Sequence, residues 1–368
     1  MASLDDEERT STYDTVYDSL LTMPKHLVLA QATYEVHFTR HIVANNVWDY
    51  RPPRGSESFE TILVGEIRPE LCGTRFSAKG NHYMGSVFNP TLIEDKTRVK
   101  NVLVLGKPSD APACFGDLFD NQIATLCDVV GQDKRELSGK NIQIKEWTAH
   151  ADAGNTGSPD YIVIVTEPMY TTVRSAQSSK HSKGRITKKV LTERAAAAVA
   201  ASSSSKTVED FDFEDMDLAS SLCDDIETDA NSTTLSKDIA NKPITTNDLY
   251  NPSVLPDYGG DLFKHVHAKL RQLDFRDVND ELIPPQDWYS QLRQGTLVMV
   301  RASLHAFNWD NRRVYQLNAH TVRVLLPSLS DIEERKPTIL DPDSFKKRTT
   351  SEAAALVSQV VLGKRSRK

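Results

Sequence analysis

Two segments near the carboxyl end of the chain alternate between apolar and polar residues, as half-buried β-strands do. In the first segment one face holds only aliphatic residues, namely Val298, Val300, Ala302, Leu304 and Ala306. The second segment changes phase, from Tyr315, Leu317 and Ala319 to Val322 and Val324. One extra residue near His320 or Thr321, as in a β-bulge, restores a common inner face. The pattern therefore predicts a bent hairpin that packs on one face and leaves the other for a ligand.

The other apolar runs are short and mostly predict strands. The strand candidates are residues 26–38, 58–67, 75–88, 99–106, 140–150 and 161–173. Helical spacing occurs at residues 115–130, 260–273 and 283–292. Because parallel sheets require a crossover helix after nearly every strand, many strands with few helices predict a mainly β barrel or sandwich.

The composition changes abruptly between residues 175 and 246, where basic, alanine- and serine-rich, and acidic stretches follow one another. This sequence predicts a disordered insertion whose opposite charges partly neutralise each other. Its acidic part, residues 209–229, alternates acidic and apolar residues, so a second interpretation is a segment that folds onto a protein partner. Residues 1–24 are expected to be a disordered amino terminus, and residues 329–368 a flexible basic tail.

Residues 25–174 and 247–328 remain to form the folded part. One arrangement is a single barrel split by the long insertion, since the entropy of closing a loop grows only logarithmically with its length. The alternative is two domains, but the second would have too few strands to close a barrel. We therefore expect one split β-barrel domain.

The net charge of −7 argues against a protein that coats nucleic acid nonspecifically, because such binding needs a positive field. Any nucleic-acid site must then be a local patch. The cysteines are widely spaced, which fits a reducing compartment and excludes the common zinc frameworks: Cys72, Cys114, Cys127 and Cys223. The acidic amino terminus and the lack of a long apolar run predict a soluble intracellular protein with no membrane contact, and the basic tail favours the nucleus.

Motifs of the common enzymes are absent from the sequence, which has no P-loop, no GxGxxG after a strand, no GxSxG and no HExxH. His265 and His267 form an HxH pair, but on the predicted helix they would point about 200° apart, a poor geometry for one metal ion. The sequence therefore predicts no catalysis, no metal site and no small-molecule cofactor.

The carboxyl-terminal hairpin, preceded by a glycine and a short helix at residues 283–292, resembles the last two strands of OB-fold single-strand DNA-binding modules. Replication protein A and the telomere-end-binding proteins are the nearest groups, and the resemblance covers residues 283–325 without an invariant motif. It implies a five-stranded barrel, elaborated here with extra strands and a few short helices, in which a helix lies between strands three and four. It also implies a nucleic-acid site across one barrel face and the loop between strands four and five.

The loop between the two segments, NWDNRR, places an aromatic ring beside two guanidinium groups, a combination that suits a nucleobase and its phosphate. The candidate nucleic-acid-binding residues of the hairpin are Arg301, His305, Phe307, Trp309, Arg312, Arg313 and Arg323. Lys79 and Tyr83 are candidates for a second rim of the same groove. The alternatives are that Phe307 and Trp309 only close one end of the barrel, and that residues 75–85 are an ordinary hairpin.

Three hypotheses follow for function. The first is a non-enzymatic OB-like protein that binds single-stranded DNA or RNA through aromatic stacking and arginine–phosphate contacts. The second is a protein-interaction scaffold in a nuclear DNA-maintenance or transposon-related complex, without direct nucleic-acid binding. The third is a β-sandwich with no nucleic-acid role, which a strand order unlike that of the OB barrel would indicate.

Overall fold

The computed structural model describes residues 4–86, 89–137, 142–152, 157–172, 243–309 and 311–339, with side chains from residue 9 onward. The predicted insertion and the tail beyond residue 339 lie almost entirely outside these residues. In the described part the fold is mainly β. None of the helices there is long and apolar enough to cross a membrane.

The helices are α1 Leu4–Thr22, α2 Ala113–Glu136 and the single turn α3 Trp288–Gln291. Short 3-10 turns lie at Lys25–Leu27, Glu70–Cys72, Pro252–Val254 and Pro285–Asp287. The strands are β1 Thr39–Ala44, β2 Val47–Arg51, β3 Glu60–Ile67, β4 Gly85–Ser86, β5 Asn89–Pro90, β6 Ile93–Glu94, β7 Lys100–Gly106, β8 Gln143–Lys145, β9 Thr148–Ala149, β10 Tyr161–Pro168, β11 Tyr170–Thr172, β12 Leu249–Tyr250, β13 Phe263–Lys264, β14 Ala268–Arg271, β15 Asp274–Arg276, β16 Leu297–Trp309 and β17 Arg312–Leu326.

Five strands form a closed ring. In this ring β3 pairs with β7, β7 with β10, β17 with β16 and β16 with β3, all antiparallel, while β10 and β17 are parallel. β1 and β2 extend the sheet beyond β16, and β8 and β15 add parallel strands to β17. Strands from both sides of residues 173–242 therefore belong to one sheet.

The hairpin of β16 and β17 has the predicted bulge. Arg301 pairs with Thr321 and Ala302 pairs with Ala319, so His320 is the extra residue. The bulge turns both halves of β17 inward, and every residue of the two predicted inner faces is buried. The prediction of a bent hairpin with a common inner face is confirmed.

Helix α2 fills a gap between β3 and β7. These two strands pair at only two positions of β3, Glu66 and Ile67. Further along β3, Gln122 of α2 takes over, because its Oε1 accepts from the Val64 N–H at 2.7 Å and its Nε2 donates to the Val64 carbonyl at 2.9 Å. The same helix sends apolar side chains into the main core: Phe119, Ile123, Leu126, Val129 and Val130. An amide side chain thus replaces hydrogen bonds that a neighbouring strand would have made.

A buried carboxylate fixes the end of α2 to the sheet. Asp133 accepts hydrogen bonds from Arg40 on β1, from Arg313 on β17 at 2.9 Å and from the Tyr315 hydroxyl. Arg313 and Asp133 are both buried, and the Arg313 guanidinium lies 4.6 Å from the centre of the Trp48 ring. Two buried opposite charges with several hydrogen bonds hold each other in place, whereas removal of one leaves the other uncompensated.

Several predicted elements agree with the structure. The predicted strands at residues 58–67, 99–106 and 161–173 are confirmed as β3, β7 and β10 with β11. The predicted helix at residues 115–130 is confirmed as α2, which extends to Glu136, and the helix at residues 283–292 shortens to a 3-10 turn and α3. Residues 140–150 hold the short strands β8 and β9.

The amino terminus corrects a prediction. Instead of lacking order, residues 4–22 form α1, and Tyr13 and Leu20 are buried against Phe115, Val64 and Leu297. These two positions are seven residues apart and therefore lie on one face of the helix. Val16 and Tyr17 add partly buried apolar surface, but most other positions of the helix are polar, which is why its composition suggested disorder.

Two strand predictions were wrong. Residues 26–38 form a 3-10 turn and loops, and Leu29 and Phe38 are buried in the main core. Pairing with β3 is limited to the single bridge between Val28 and Ile62. Residues 75–88 contain only β4 among their described positions, and Gly80 there has a φ of +45°. A Cβ at Gly80 would lie 2.3 Å from the Lys100 carbonyl oxygen, so this loop approaches β7 too closely for a regular hairpin.

The helix predicted at residues 260–273 was also wrong. This segment holds the short strands β13 and β14, and Gly259 and Gly260 before them have φ of +107° and +71°. Leu262 and Leu270 are buried in the main core, so tertiary packing outweighed the helical spacing. His265 then packs against Tyr170, Tyr258 and Phe263 and is not part of a helical HxH pair.

Substituting Asp133 by Ala is expected to lower the free energy of unfolding by about 3–5 kcal/mol, because Arg313 would remain buried without its counter-charge. Urea unfolding followed by circular dichroism measures this change. Glu136→Ala is the matched control, since Glu136 also pairs with Arg40, at 2.7 Å, but is largely exposed. The control should lose less than about 1 kcal/mol. Equal losses in the two variants would contradict the assignment of Asp133 as the anchor.

Candidate functional site

The outer face of β16 and β17 is organised in rows that run across the sheet. Directly paired residues on adjacent strands point to the same side, so the pairing register defines each row. From the hairpin tip inward, the rows are Trp309, Arg312 and Gln143; Val47, Phe307, Val314 and Lys145; Asp49, His305 and Gln316; Glu60, Ser303, Asn318 and Val165; and Ile62, Arg301, Thr321 and Asp274. The face is therefore mainly apolar and aromatic at the tip and polar further along.

The two aromatic candidates at the tip have different environments. Phe307 is only 5% exposed and packs with Val47 and Val314. Trp309 packs against the same cluster but remains partly exposed. Phe307 is therefore a packed residue of this outer-face cluster, and Trp309 is the ring of the two that is open to a stacking partner.

The consecutive residues Arg312 and Arg313 lie on opposite faces of β17. Arg312 shares the outermost row with Trp309. Arg313 points inward, where it donates to Asp133 and, at 2.9 Å, to the Asn308 side chain. Of this predicted pair, the structure brings only Arg312 to the outer face.

Arg301 lies on the outer face within a network of oxygen acceptors. It donates to Glu60 at 2.8 Å and to the Thr321 hydroxyl at 3.2 Å, and Thr321 in turn donates to Asp274 at 2.6 Å. Because Glu60 and Asp274 are carboxylates, this part of the face has little net positive charge.

Arg323 lies one row further along the same face, opposite Met299. Its guanidinium is 3.7 Å from the Asp280 carboxylate and donates to the Val278 carbonyl at 3.2 Å. Like Arg301, this arginine has a carboxylate beside it. The rows of Arg301 and Arg323, which are far from the hairpin tip, are therefore better suited to hydrogen bonding than to attracting phosphate.

Two histidines share the Ser303 hydroxyl. The Nε2 atoms of His305 and His320 lie 2.9 Å and 2.8 Å from Ser303 Oγ, and His320 Nδ1 lies 3.8 Å from Glu167. Burial lowers the pKa of His305 to about 4, although the Asp49 carboxylate opposes this shift, so His305 is neutral near pH 7. Ser303 is only 2% exposed, and the group forms a hydrogen-bond network of the sheet.

A depression of about 220 Å³ lies beside this network, between β10, β15 and β17. Its wall includes Arg301, His320, Glu60, Glu167 and Gln272. The hydrogen bond with His320 lowers the pKa of Glu167, and Arg271 contributes in the same direction. The mixture of cationic and anionic groups favours a polar, uncharged ligand group over a phosphate.

Lys79 and Tyr83 lie elsewhere on the molecule. Their segment runs beside β7, where the Asn81 N–H donates to the Lys100 carbonyl, and β10 separates β7 from β17. Lys79 is exposed and Tyr83 half-buried. The structure therefore does not place them in a row with the hairpin residues.

Sequence reasoning missed the contributions of β2 and β8 to this face. Asp49 lies beside His305, and Lys145 lies beside Val314. The Lys145 segment alternates polar and apolar residues, which revealed a strand but not its partner. The neighbours are more than 160 positions apart along the chain, so only the folded sheet brings them together.

Comparison of the chain with protein-family models, curated proteins and solved structures finds no match. Within the described residues, no group of three or more His, Cys, Asp or Glu side chains is arranged to hold a metal ion.

Substituting His305 by Gln is expected to make stability less dependent on pH between 7 and 5. The folded chain keeps His305 neutral down to a pKa of about 4, whereas an unfolded histidine binds a proton near pH 6.5. Acidification therefore stabilises the unfolded state and lowers the free energy of unfolding of the wild type, by up to about 2 kcal/mol at pH 5.

Urea unfolding at pH 7 and pH 5 measures the effect of this histidine. His26→Gln serves as the control, because it removes a histidine from an exposed position. The assignment is wrong if His305→Gln and the wild type lose the same stability on acidification.

Proposed function

We propose that the five-strand ring is an OB-like barrel whose hairpin face binds single-stranded nucleic acid. Numbered along the chain as β3, β7, β10, β16 and β17, the ring strands run in the spatial order 1-2-3-5-4 and back to 1, with strands 3 and 5 parallel. This Greek-key order supports the OB assignment over a sandwich. The weak seam between β3 and β7 also fits a partly open barrel.

The helices depart from the arrangement that the resemblance implies. The long helix α2 lies between ring strands two and three. Between strands three and four the described helix is the single turn α3, with Trp288 and Tyr289 buried in the core. The proposal therefore rests on strand order and on the outer face of the hairpin.

The observation that carries the proposed function is the direct pairing of Trp309 with Arg312 at the hairpin tip. The partly exposed indole offers a stacking surface, and base stacking on an aromatic ring contributes about 1–3 kcal/mol per base. The adjacent guanidinium is suited to the phosphate of the stacked nucleotide. In OB barrels the loop between strands four and five is a ligand-binding loop, and this tip is its counterpart.

The remaining candidates have graded roles in this proposal. Arg301 and the neutral His305 offer hydrogen-bond donors to bases or sugars further along the face. Arg323 lies at the end of the face that is far from the hairpin tip. Phe307 and Arg313 hold the tip in place. Because carboxylates accompany Arg301 and Arg323, few phosphates are expected to be neutralised, and binding should depend weakly on salt.

A second candidate function is supported by a different observation. Strand β1 forms one end of the ten-stranded sheet and carries exposed apolar residues, with Ile42 76% exposed. An apolar edge strand is a template for a strand of another protein, which supports a scaffold role in a nuclear complex. A protein partner was predicted for the acidic segment 209–229, and nuclear import for the basic end of the tail. Both segments lie outside the described residues.

Fluorescence anisotropy with labelled single-stranded DNA and RNA tests the first function. The wild type is expected to bind at low salt, and Trp309→Ala should weaken binding about 5- to 100-fold, since one stacked base is lost. Trp309→Phe is the matched control and should retain most of the affinity because it keeps an aromatic ring.

Two outcomes would count against the nucleic-acid proposal. One is that the wild type binds no oligonucleotide at low salt. The other is that Trp309→Ala binds as tightly as the wild type while remaining folded. Either result would leave the scaffold role as the better supported function.

A further inference from the structure

The bulge in β17 separates two strands that share one edge of this strand. Because β16 occupies the other edge, the parallel strands β10 and β15 lie one after the other along the same side of β17. The pairing with β10 ends at Ala319 and the pairing with β15 begins at Thr321, so the bulged residue His320 lies between them. A bulge interrupts the ladder and redirects a side chain. The depression of about 220 Å³ lies at this interruption.

The lining of the depression combines buried apolar residues with exposed polar ones. Leu273, Phe275 and Ala319 line it and are buried. Arg301 and Glu60 also line it, and their side chains are each about half exposed. The volume is below the roughly 300–1,000 Å³ of pockets for drug-sized ligands, so the depression is suited to a single flat ring system.

Arg301 and Glu60 place a hydrogen-bond donor beside an acceptor. Arg301 Nη1 donates to Glu60 Oε2 at 2.8 Å, which holds the two groups side by side. A guanidinium has several N–H donors and a carboxylate has several lone pairs, so both groups keep capacity for a ligand while they bind each other. Nucleobases carry donors next to acceptors on their Watson–Crick edge, and proteins recognise unpaired bases through that edge.

The wall of the depression also contains an acceptor without a partner. Gln272 lines the depression and is buried. Its Nε2 donates to the Leu273 carbonyl at 2.8 Å and to the Ile283 carbonyl at 2.9 Å, so both of its N–H groups are used and the amide is fixed. Within the described part of the chain, its Oε1 has no hydrogen-bond partner. An unpaired buried acceptor is destabilising, and a ligand donor at this wall would offset that cost.

The charges of the lining argue against a phosphate in the depression itself. Three carboxylates line it, those of Glu60, Glu167 and Asp274. They would repel a phosphate group, whereas an uncharged base experiences no such repulsion. A nucleotide at this position would therefore insert its base and keep its phosphate outside.

We propose that this depression binds one nucleobase of the single strand whose other base stacks on Trp309. Arg301 and Trp309 lie eight positions apart on β16. At roughly 3.4 Å per residue, this separation is at most about 27 Å. Two bases several nucleotides apart would thus be held at the two ends of one face. The inference rests on the proposed nucleic-acid function and adds a second base site to it.

Abasic oligonucleotides test the second base site directly. An abasic nucleotide keeps its sugar and phosphate, so only the contact of the base is removed. The shortest labelled oligothymidylate with full affinity is used, because such a strand cannot shift its register, and each position in turn is made abasic. Anisotropy with the full chain at low salt should show two positions, several nucleotides apart, that weaken binding. Each loss is expected to be about 5- to 100-fold, one from stacking and one from hydrogen bonding.

Three variants assign the two positions. Arg301→Gln should remove the abasic penalty at one position and keep it at the other, and Trp309→Ala should do the reverse. A general loss of positive charge weakens every strand alike and leaves both penalties. Arg323→Gln is the matched control, because Arg323 lies on the same face beside Asp280 but does not line the depression, and it should keep both penalties. Thermal unfolding verifies that each variant is folded.

The outcomes separate the second base site from the function. If only one abasic position weakens binding, or if Arg301→Gln keeps both penalties, the second base site is wrong and single-strand binding through Trp309 stands. If the wild type binds no oligothymidylate at low salt, the proposed function fails and this site fails with it.

Discussion

The parallel pairing of β10 with β17 is the constraint on which the rest of the structure depends. It spans only three residue pairs, from Ile164 with Leu317 to Thr166 with Ala319, yet it joins the parts of the chain before and after residues 173–242. Since β16 pairs with β3 on the other edge of the hairpin, both edges of the hairpin have a partner strand and the ring closes. Closure fixes which face of the hairpin is inside, and therefore which side chains can meet a ligand.

The sequence predicted those features that depend on local periodicity. The alternating hairpin, the bulge at His320 and helix α2 each leave a pattern within a short window. Features determined by distant partners were missed. Among the described side chains of helix α1, only Tyr13 and Leu20 are buried. Residues 260–273 have helical spacing, but they form strands that pair with distant segments. The placement of Lys145 beside Val314 depends on a pairing that no local pattern contains.

The adjacent arginines of the tip show the same limit on a smaller scale. Alternation along a strand requires Arg312 and Arg313 to lie on opposite faces, so one of them had to point inward. Which one did so depends on Asp133, 180 positions earlier in the chain. Burial beside that carboxylate makes Arg313 a structural residue, whereas Arg312 joins Trp309 outside. Residue type suggested two equivalent contacts, and the fold separates them.

The contact of Arg313 with Asp133 and Trp48 lies directly behind the outer row of Trp309 and Arg312. The tip of the hairpin is thus anchored to α2 on the side away from the proposed ligand. Fixing a backbone residue costs roughly 1–2 kcal/mol in entropy, and here that ordering accompanies folding of the chain. A strand of nucleic acid would accordingly meet a preorganised surface, and most of the entropic cost of association would fall on the ligand.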